Sequence, residues 1–219
     1  MAAAMPFVQE RIYNALKADY LAGIFTPGRR LDIQEIADRH SASKTPVREA
    51  ACILVGQGIF VHHSESGFMV PVHEPTSIAD QQAWHMQATI AIVAGLKTSA
   101  LRQALLRFDG AIAALGTVGI AQLATEIFTS IAAASSNPRV IDDIRLMNER
   151  LHYARIAEVI SVPAALAELR TLVKEDVTDL QKSMRRRLES YHLRRIHRLA
   201  AEDESQRQSK IDHNIEKNQ

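Results

Sequence analysis

Apolar positions at Val8, Ile12, Ala15 and Leu16 recur at helical spacing, so the pattern predicts a helix over 7–22 that stops at Gly23. Thr26-Pro27-Gly28 reads as a turn, because proline presets φ and glycine accepts a positive one. Asp32 followed by Glu35 is a capping-box pattern, opening a second helix with Ile33, Ile36 and Ala37 inward. After the break at His40-Ser41-Ala42, Ser43 is placed to cap a third helix. Pro46 falls in its first turn, where a missing N–H costs nothing. Val47, Ala51, Leu54 and Val55 form its inward stripe. Two β-rich runs, Ile59 to His63 and Gly67 to Val72, flank Ser64-Glu65-Ser66 and predict a hairpin. Three helices and a two-stranded ribbon make a winged helix-turn-helix over residues 1–75.

Beyond a linker stiffened by Pro71 and Pro75, with Thr76 as a cap, the periodicity is helical almost throughout. Segments near 77–97, 99–114, 119–135, 138–160, 163–180 and 182–201 are separated at Gly110, Gly116/Gly119, Asn137-Pro138 and Val162-Pro163. Six such helices predict an antiparallel bundle over 76–201. Residues 202–219 are polar and are expected to form a flexible tail. The fold class is therefore mainly α: a winged helix-turn-helix followed by an antiparallel helical bundle.

Charge then narrows the chemistry. The net charge is +1, and residues 1–75 hold seven Lys/Arg against eight Asp/Glu. Any nucleic-acid contact must come from a few placed cations rather than a polycationic surface. The single cysteine, Cys52, excludes an internal disulfide framework, and its apolar surroundings predict a buried structural thiol. No apolar run reaches the ~18 residues of a membrane span, and no leader pattern opens the chain. A cytoplasmic protein with no membrane partner is expected.

The densest chemistry lies in Ser43-Lys44-Thr45-Pro46-Val47-Arg48-Glu49-Ala50. A short polar residue and two cations on the first turns of a helix suit insertion of that helix end into a DNA groove. Lys44 reaches guanine O6 and N7 or a phosphate, Thr45 permits close backbone approach, and Arg48 lies one turn on. Arg29 and Arg30 are placed for flanking phosphates, and Gly67 at the ribbon tip for the minor groove, with His62 and His63 beside it. The bland alternative is a solvated helix start, which the order of capped helices and Gly-tipped hairpin disfavours.

Residues 9–72, through Gly23, Pro27-Gly28-Arg29-Arg30-Leu31, Ile36-Ala37, Ser43 to Ala50 and Gly67, resemble the winged helix-turn-helix of GntR-family transcriptional regulators. The helical remainder resembles the FadR-like branch. The resemblance implies a homodimer on double-stranded operator DNA of two-fold symmetry. It places DNA contacts on Ser43, Lys44, Thr45, Pro46, Arg48 and Gly67. Two positions depart: Lys44 and Gln34 stand where arginines are common, and lysine lacks the planar fork.

In the bundle, the segment Thr125 to Asn137 resembles the place where many such regulators carry Asp-x-x-x-His, a pair able to ligate a divalent cation from one helical face. Here the two positions are Thr125 and Thr129, and later histidines of the family fall near Leu169 and Arg187. No metal and no other cofactor is expected. His62 and His63 point to opposite strand faces, and His192 and His197 share no helical face. An acidic small-molecule effector would need cations and hydroxyls. The candidates are His85, Thr125, Thr129, Asn137, Arg150, Arg155 and Arg187. The cationic run Lys182 to Arg198 has a solvated helix face as its ordinary explanation.

The expected function is a transcriptional regulator, a repressor released by an organic acid. One alternative is a regulator that has lost sensing and binds DNA constitutively. A DNA-tethered enzyme is the other, and no nucleophile–base spacing, phosphate loop or carboxylate pair supports it.

Overall fold

In a computed structural model, residues 7–108, 115–174 and 178–217 are described. The chain divides into two compact units, 1–72 and 73–219.

The first unit is built as α1 (Phe7–Leu21), α2 (Ile33–Arg39), α3 (Lys44–Gly56), β1 (Val61–His62) and β2 (Phe68–Met69). Helix α1 packs on α3, burying Ile12, Leu16 and Tyr20 against Val47, Ala50, Ala51 and Leu54. Gly23 leaves the helix at φ 71°. Asp32 caps α2, its side chain accepting from the Gln34 and Glu35 amides at 2.8 and 3.1 Å. Glu35 instead pairs with Arg39. The strands pair antiparallel with Val61 opposite Met69 and His62 opposite Phe68. The turn segment joins this ribbon: the Gly28 amide donates to Val70 O and the Leu31 amide to Phe68 O, each at 2.8 Å. Phe60, flanked edge-on by Tyr20 and Phe25, closes the core beneath it.

Cys52 is exposed, which corrects the expected buried thiol. The inward stripe of α3 is Val47, Ala50, Ala51 and Leu54, and position 52 falls on the other face of a 3.6-residue turn.

The second unit consists of α4 (Pro75–Gly95), α5 (Thr98–Leu106), α6 (Thr117–Ala133), α7 (Pro138–Arg150), α8 (His152–Ser161), α9 (Ala165–Val173) and α10 (Leu180–Lys217). Helix α6 is central and the most buried, with Ile127, Phe128 and Ile131 in the core. It packs against α4, α5, α7, α8 and α9, while α10 lies along α4. Asn137 caps α7, accepting from the Arg139 amide at 3.0 Å, with Pro138 at the first helical position.

Two helix expectations for the bundle change, and a third falls outside the described residues. The single helix foreseen over 138–160 is two, because the chain turns at Leu151 with φ −82° and ψ −3°, without glycine or proline. The expected polar tail is helical through Lys217 as part of α10. Its i,i+4 pairs, Arg207 with Asp203 and Gln208 with Asp212, suit an exposed helix. The break assigned to Gly110 and the residues 109–114 of the second bundle helix lie outside the described residues.

Candidate DNA-reading face and a buried polar cluster

Two arrangements gather the sequence-derived candidates, one in each unit. In the first unit, the start of α3, the start of α2 and the turn of the ribbon surround a concavity of about 440 Å³. Arg29, Arg30, Gln34, Lys44, Arg48 and Gly67 all line it. The α3 start is aimed outward because Val47 and Ala50 hold the opposite face in the core. Ser43, Lys44, Thr45 and Arg48 are exposed, and Pro46 is half-buried in the first turn. Ser43 takes the N-cap backbone position, yet its hydroxyl makes no cap bond, which leaves the first amides of α3 facing outward. Gln34 is tied to Asp38 at 2.7 Å on the surface of α2.

Gly67 is fixed by geometry. Its φ is 98°, and a Cβ there would meet Arg30 Nε at 3.0 Å. That positive φ is the conformation that favours glycine, and the Arg30 side chain lies against it. Asp19, nearly buried, accepts from Arg39 at 3.1 Å and contacts the His40 ring at 2.8 Å. That clamp holds the end of α2 to α1 and so fixes the helix-to-helix turn that presents α3. The face carries four guanidinium or ammonium groups and one carboxylate, Asp32, whose acceptor is spent on the α2 cap. Such a surface suits a polyanion.

In the second unit, polar side chains meet inside the bundle. His85 of α4, Asn148 of α7, Arg155 of α8 and His192 of α10 are all buried. His85 Nδ1 faces His192 Nε2 at 2.8 Å, and His85 Nε2 faces Asn148 Oδ1 at 3.1 Å. Arg155 donates to Asn148 Oδ1 at 2.8 Å and to the Thr125 hydroxyl at 3.0 Å. Asn148 Nδ2 donates to the Thr129 hydroxyl at 3.3 Å. Phe128 packs at the middle, 4.5 Å from the His85 ring and 5.4 Å from the Arg155 guanidinium.

Burial governs the charges here. It lowers Arg155 from its ordinary value. Burial first, then the neighbouring His192 and Arg155, hold His85 well below the histidine range. Burial, together with Arg155 and Arg195, pushes His192 down to about 3, against the bond of its Nδ1 to Leu188 O.

Of the bundle candidates, His85, Thr125, Thr129 and Arg155 thus come together. Asn137 caps α7 at the surface, Arg150 ends that helix half-buried, and Arg187 donates to the Lys174 carbonyl. Asn148 and His192 were missed from the sequence. Asn148 carried a signal, since it stands four residues after buried Ile144 on the inward face of α7. Within the cationic run, Arg195 is buried rather than solvated. It pairs with Glu158 at 2.8 Å and Glu168 at 2.9 Å, over the Tyr191 ring at 3.4 Å. Arg185, Arg186 and Arg194 are exposed, as a solvated face requires. Among the described residues, no group of three or more His, Cys, Asp or Glu is placed to hold a metal ion.

Helices α1 to α3 with their ribbon and cationic concavity define the first unit as a winged helix-turn-helix DNA-binding domain. Residues 8–70 match the family model for bacterial regulatory proteins of the gntR family, and this domain is a GntR-family helix-turn-helix. The chain is 26% identical over 138 residues to the Nta operon transcriptional regulator of Aminobacter aminovorans, covering 60% of this chain and 65% of that protein. It is 32% identical over 100 residues to an HTH-type transcriptional regulator, BphR, of Paraburkholderia xenovorans, covering 46% and 38%. These matches therefore span less than two thirds of either relative's length. In fold, the chain is similar to E. coli McbR/YncC, with a TM-score of 0.66 at 20% identity over 90% of this chain and 99% of that one. A putative GntR transcriptional regulator from a Rhodococcus species gives 0.71 at 20% identity, over 88% and 97%. The family and the named relatives are transcriptional regulators. No helix among the described residues is long and apolar enough to cross a membrane.

Proposed function

We propose that the chain is a sequence-specific, ligand-responsive repressor that binds double-stranded operator DNA as a homodimer in the cytoplasm, without enzymatic turnover. The observation that carries this is the convergence of Arg29, Arg30, Lys44, Arg48 and Gly67 on one exposed concavity beside the start of α3. In this reading the start of α3 enters the major groove. Ser43, Lys44, Thr45 and Arg48 meet base edges or phosphates, with Pro46 setting the entry of the helix. Gly67 brings the ribbon to the minor groove. Lysine at position 44 binds guanine or phosphate as a point charge, so base preference there is looser than with arginine.

The bundle is proposed as a FadR-like effector domain without the metal of that branch. Its effector is an organic acid. The observation favouring an acid is Arg155, a guanidinium 2% exposed that no carboxylate pairs with among the described residues. A buried cation that no carboxylate contacts directly is costly, and an anion beside it relieves that cost. The Thr125 hydroxyl accepts from Arg155, and Thr129 and His85 are linked to it through Asn148. Release from DNA follows if the acid changes the separation of the two α3 helices, which must match half-sites about one helical turn apart. A gel-shift titration tests the DNA part. Wild type shifts a duplex selected from random DNA, and Lys44→Ala or Arg48→Ala weakens the shift without altering the circular dichroism spectrum. Equal shifts by all three would refute the assignment.

A further inference from the structure

The hydrogen-bond chain through the two buried histidines does not close with neutral rings. His192 Nδ1 faces Leu188 O at 2.8 Å, and a carbonyl only accepts, so this nitrogen carries a hydrogen. At the other end His85 Nε2 faces Asn148 Oδ1 at 3.1 Å. The orientation of Asn148 is fixed independently. Its Oδ1 also receives Arg155 Nη2 at 2.8 Å, and a guanidinium only donates. Its Nδ2 faces the Thr125 carbonyl at 3.4 Å and the Thr129 hydroxyl at 3.3 Å. Turning the amide over would set NH₂ against the guanidinium and oxygen against a carbonyl, two faults in place of one. His85 Nε2 therefore also needs a hydrogen.

Between the rings, Nδ1 of His85 and Nε2 of His192 lie 2.8 Å apart and need one more. Three links require three hydrogens on four ring nitrogens, and two neutral imidazoles supply two. In the neutral pair, one link is a meeting of two lone pairs. One added proton completes the chain.

Burial first, and the surrounding charges after it, keep that proton out. Arg155 of α8 acts on both rings and Arg195 of α10 on His192, in addition to burial. The other ionisable groups nearby are Tyr191 of α10 and Glu158 of α8, both of which act on Arg155 and favour its charge. From α6 the packing group is Phe128. Arg155 itself retains an unused donor, since its buried Nε has no hydrogen-bond partner. Beside the cluster, α4, α8 and α10 border an open cleft of about 130 Å³ whose lining includes Gln82, Ala154, Arg195 and the carboxylates Glu158 and Glu202. Gln82 is one turn before His85, and Ala154 and Glu158 flank Arg155.

We propose that this cluster takes up a monocarboxylate together with one proton, the carboxylate held by Arg155 and the proton completing the Asn148–His85–His192–Leu188 chain. The anion cancels the Arg155 charge that opposes protonation, and the proton stabilises the anion in turn. No covalent bond changes. The inference rests on the acid-effector reading above and adds the linkage to it. Affinity then falls about tenfold per pH unit over the range in which the free pair is neutral and the bound pair protonated.

The test is calorimetric titration of the full-length protein with benzoate, acetate and hexanoate near neutral pH, in two buffers of different ionisation enthalpy. Binding of any of the three with a buffer-dependent heat corresponding to about one proton per site is expected, and His192→Phe should abolish the buffer dependence. Binding with a buffer-independent heat overturns the proton linkage and leaves the acid effector standing. No binding by any of the three overturns both. A ligand-free arm uses nitrogen-15 histidine spectra. In Arg155→Gln the pair should show the protonated pattern at a pH where the wild type is neutral. A pair that stays neutral in the folded variant down to about pH 5 overturns the coupling of the proton to the Arg155 charge.

Discussion

Lowering the pH should unfold this protein through His192 before ordinary surface groups matter. The ring is fully buried, its Nδ1 is held by Leu188 O, and burial with the Arg155 and Arg195 charges holds it at about 3. In the unfolded chain a histidine titrates near ~6.5. The folded value lies below the unfolded one, so the unfolded chain takes the proton first. The contribution is therefore fully present above about pH 6.5 and is lost as the pH falls from there towards 3. At pH 5 the unfolded state has gained one and a half pH units at ~1.4 kcal/mol each, about 2 kcal/mol from this residue. His85 is lowered by burial as well and acts in the same direction. That is a large share of the ~5–15 kcal/mol typical of a domain. The assay is urea unfolding followed by helical circular dichroism at about pH 7 and pH 5, for wild type and His192→Phe. Comparing each protein with itself at the two pH values removes the cost of the substitution. Wild type should lose about 2 kcal/mol more than the variant. Equal losses, or a wild type that gains stability in acid, would refute a neutral buried His192.

Other consequences follow from the same geometry. Lys44→Ala and Arg48→Ala should each weaken DNA binding and flatten the slope of log affinity against log salt by about one if the cation meets a phosphate, measured by fluorescence anisotropy at several salt concentrations. Gly67→Val sets a branched side chain at φ 98° against Arg30. It should cost about 1–3 kcal/mol in unfolding and weaken DNA binding as the ribbon tip shifts. Phe128→Ala removes the fully buried ring about which His85, Tyr191 and His192 pack. It should cost about 3–5 kcal/mol, read as a fall in thermal midpoint.

The exposed cationic face beside α3 was legible because its determinants are local. Asp32, Pro46 and Gly67 act within a turn of themselves, and each marks where an element begins or reverses. The bundle was legible in outline only. Asn137-Pro138 announced α7, but its end at Leu151 carries no breaker residue and left no trace in the pattern. The segment after residue 201 has a tail-like composition, and only the spacing of Asp203 to Arg207 and Gln208 to Asp212 hinted at helix. Cys52 was misjudged because apolar neighbours in sequence are not neighbours in space on a helix. The polar cluster was half legible. His85, Thr125, Thr129 and Arg155 stood out by type, whereas His85 meets Asn148 and His192 across 63 and 107 residues, distances no local pattern spans. The same holds for Arg195, whose partners Glu158 and Glu168 belong to other helices.

The cations beside the start of α3 are proposed to bind a defined DNA sequence. The most direct test selects duplexes from a random pool on the full-length protein, then titrates the enriched duplex against wild type and the Lys44→Ala, Arg48→Ala double variant. An enriched sequence with two-fold symmetry is expected, with a loss of at least about tenfold in affinity, roughly 1.4 kcal/mol, in a double variant of unchanged fold. A pool that yields no enriched sequence, or a double variant that binds it as tightly as wild type, would contradict the proposal.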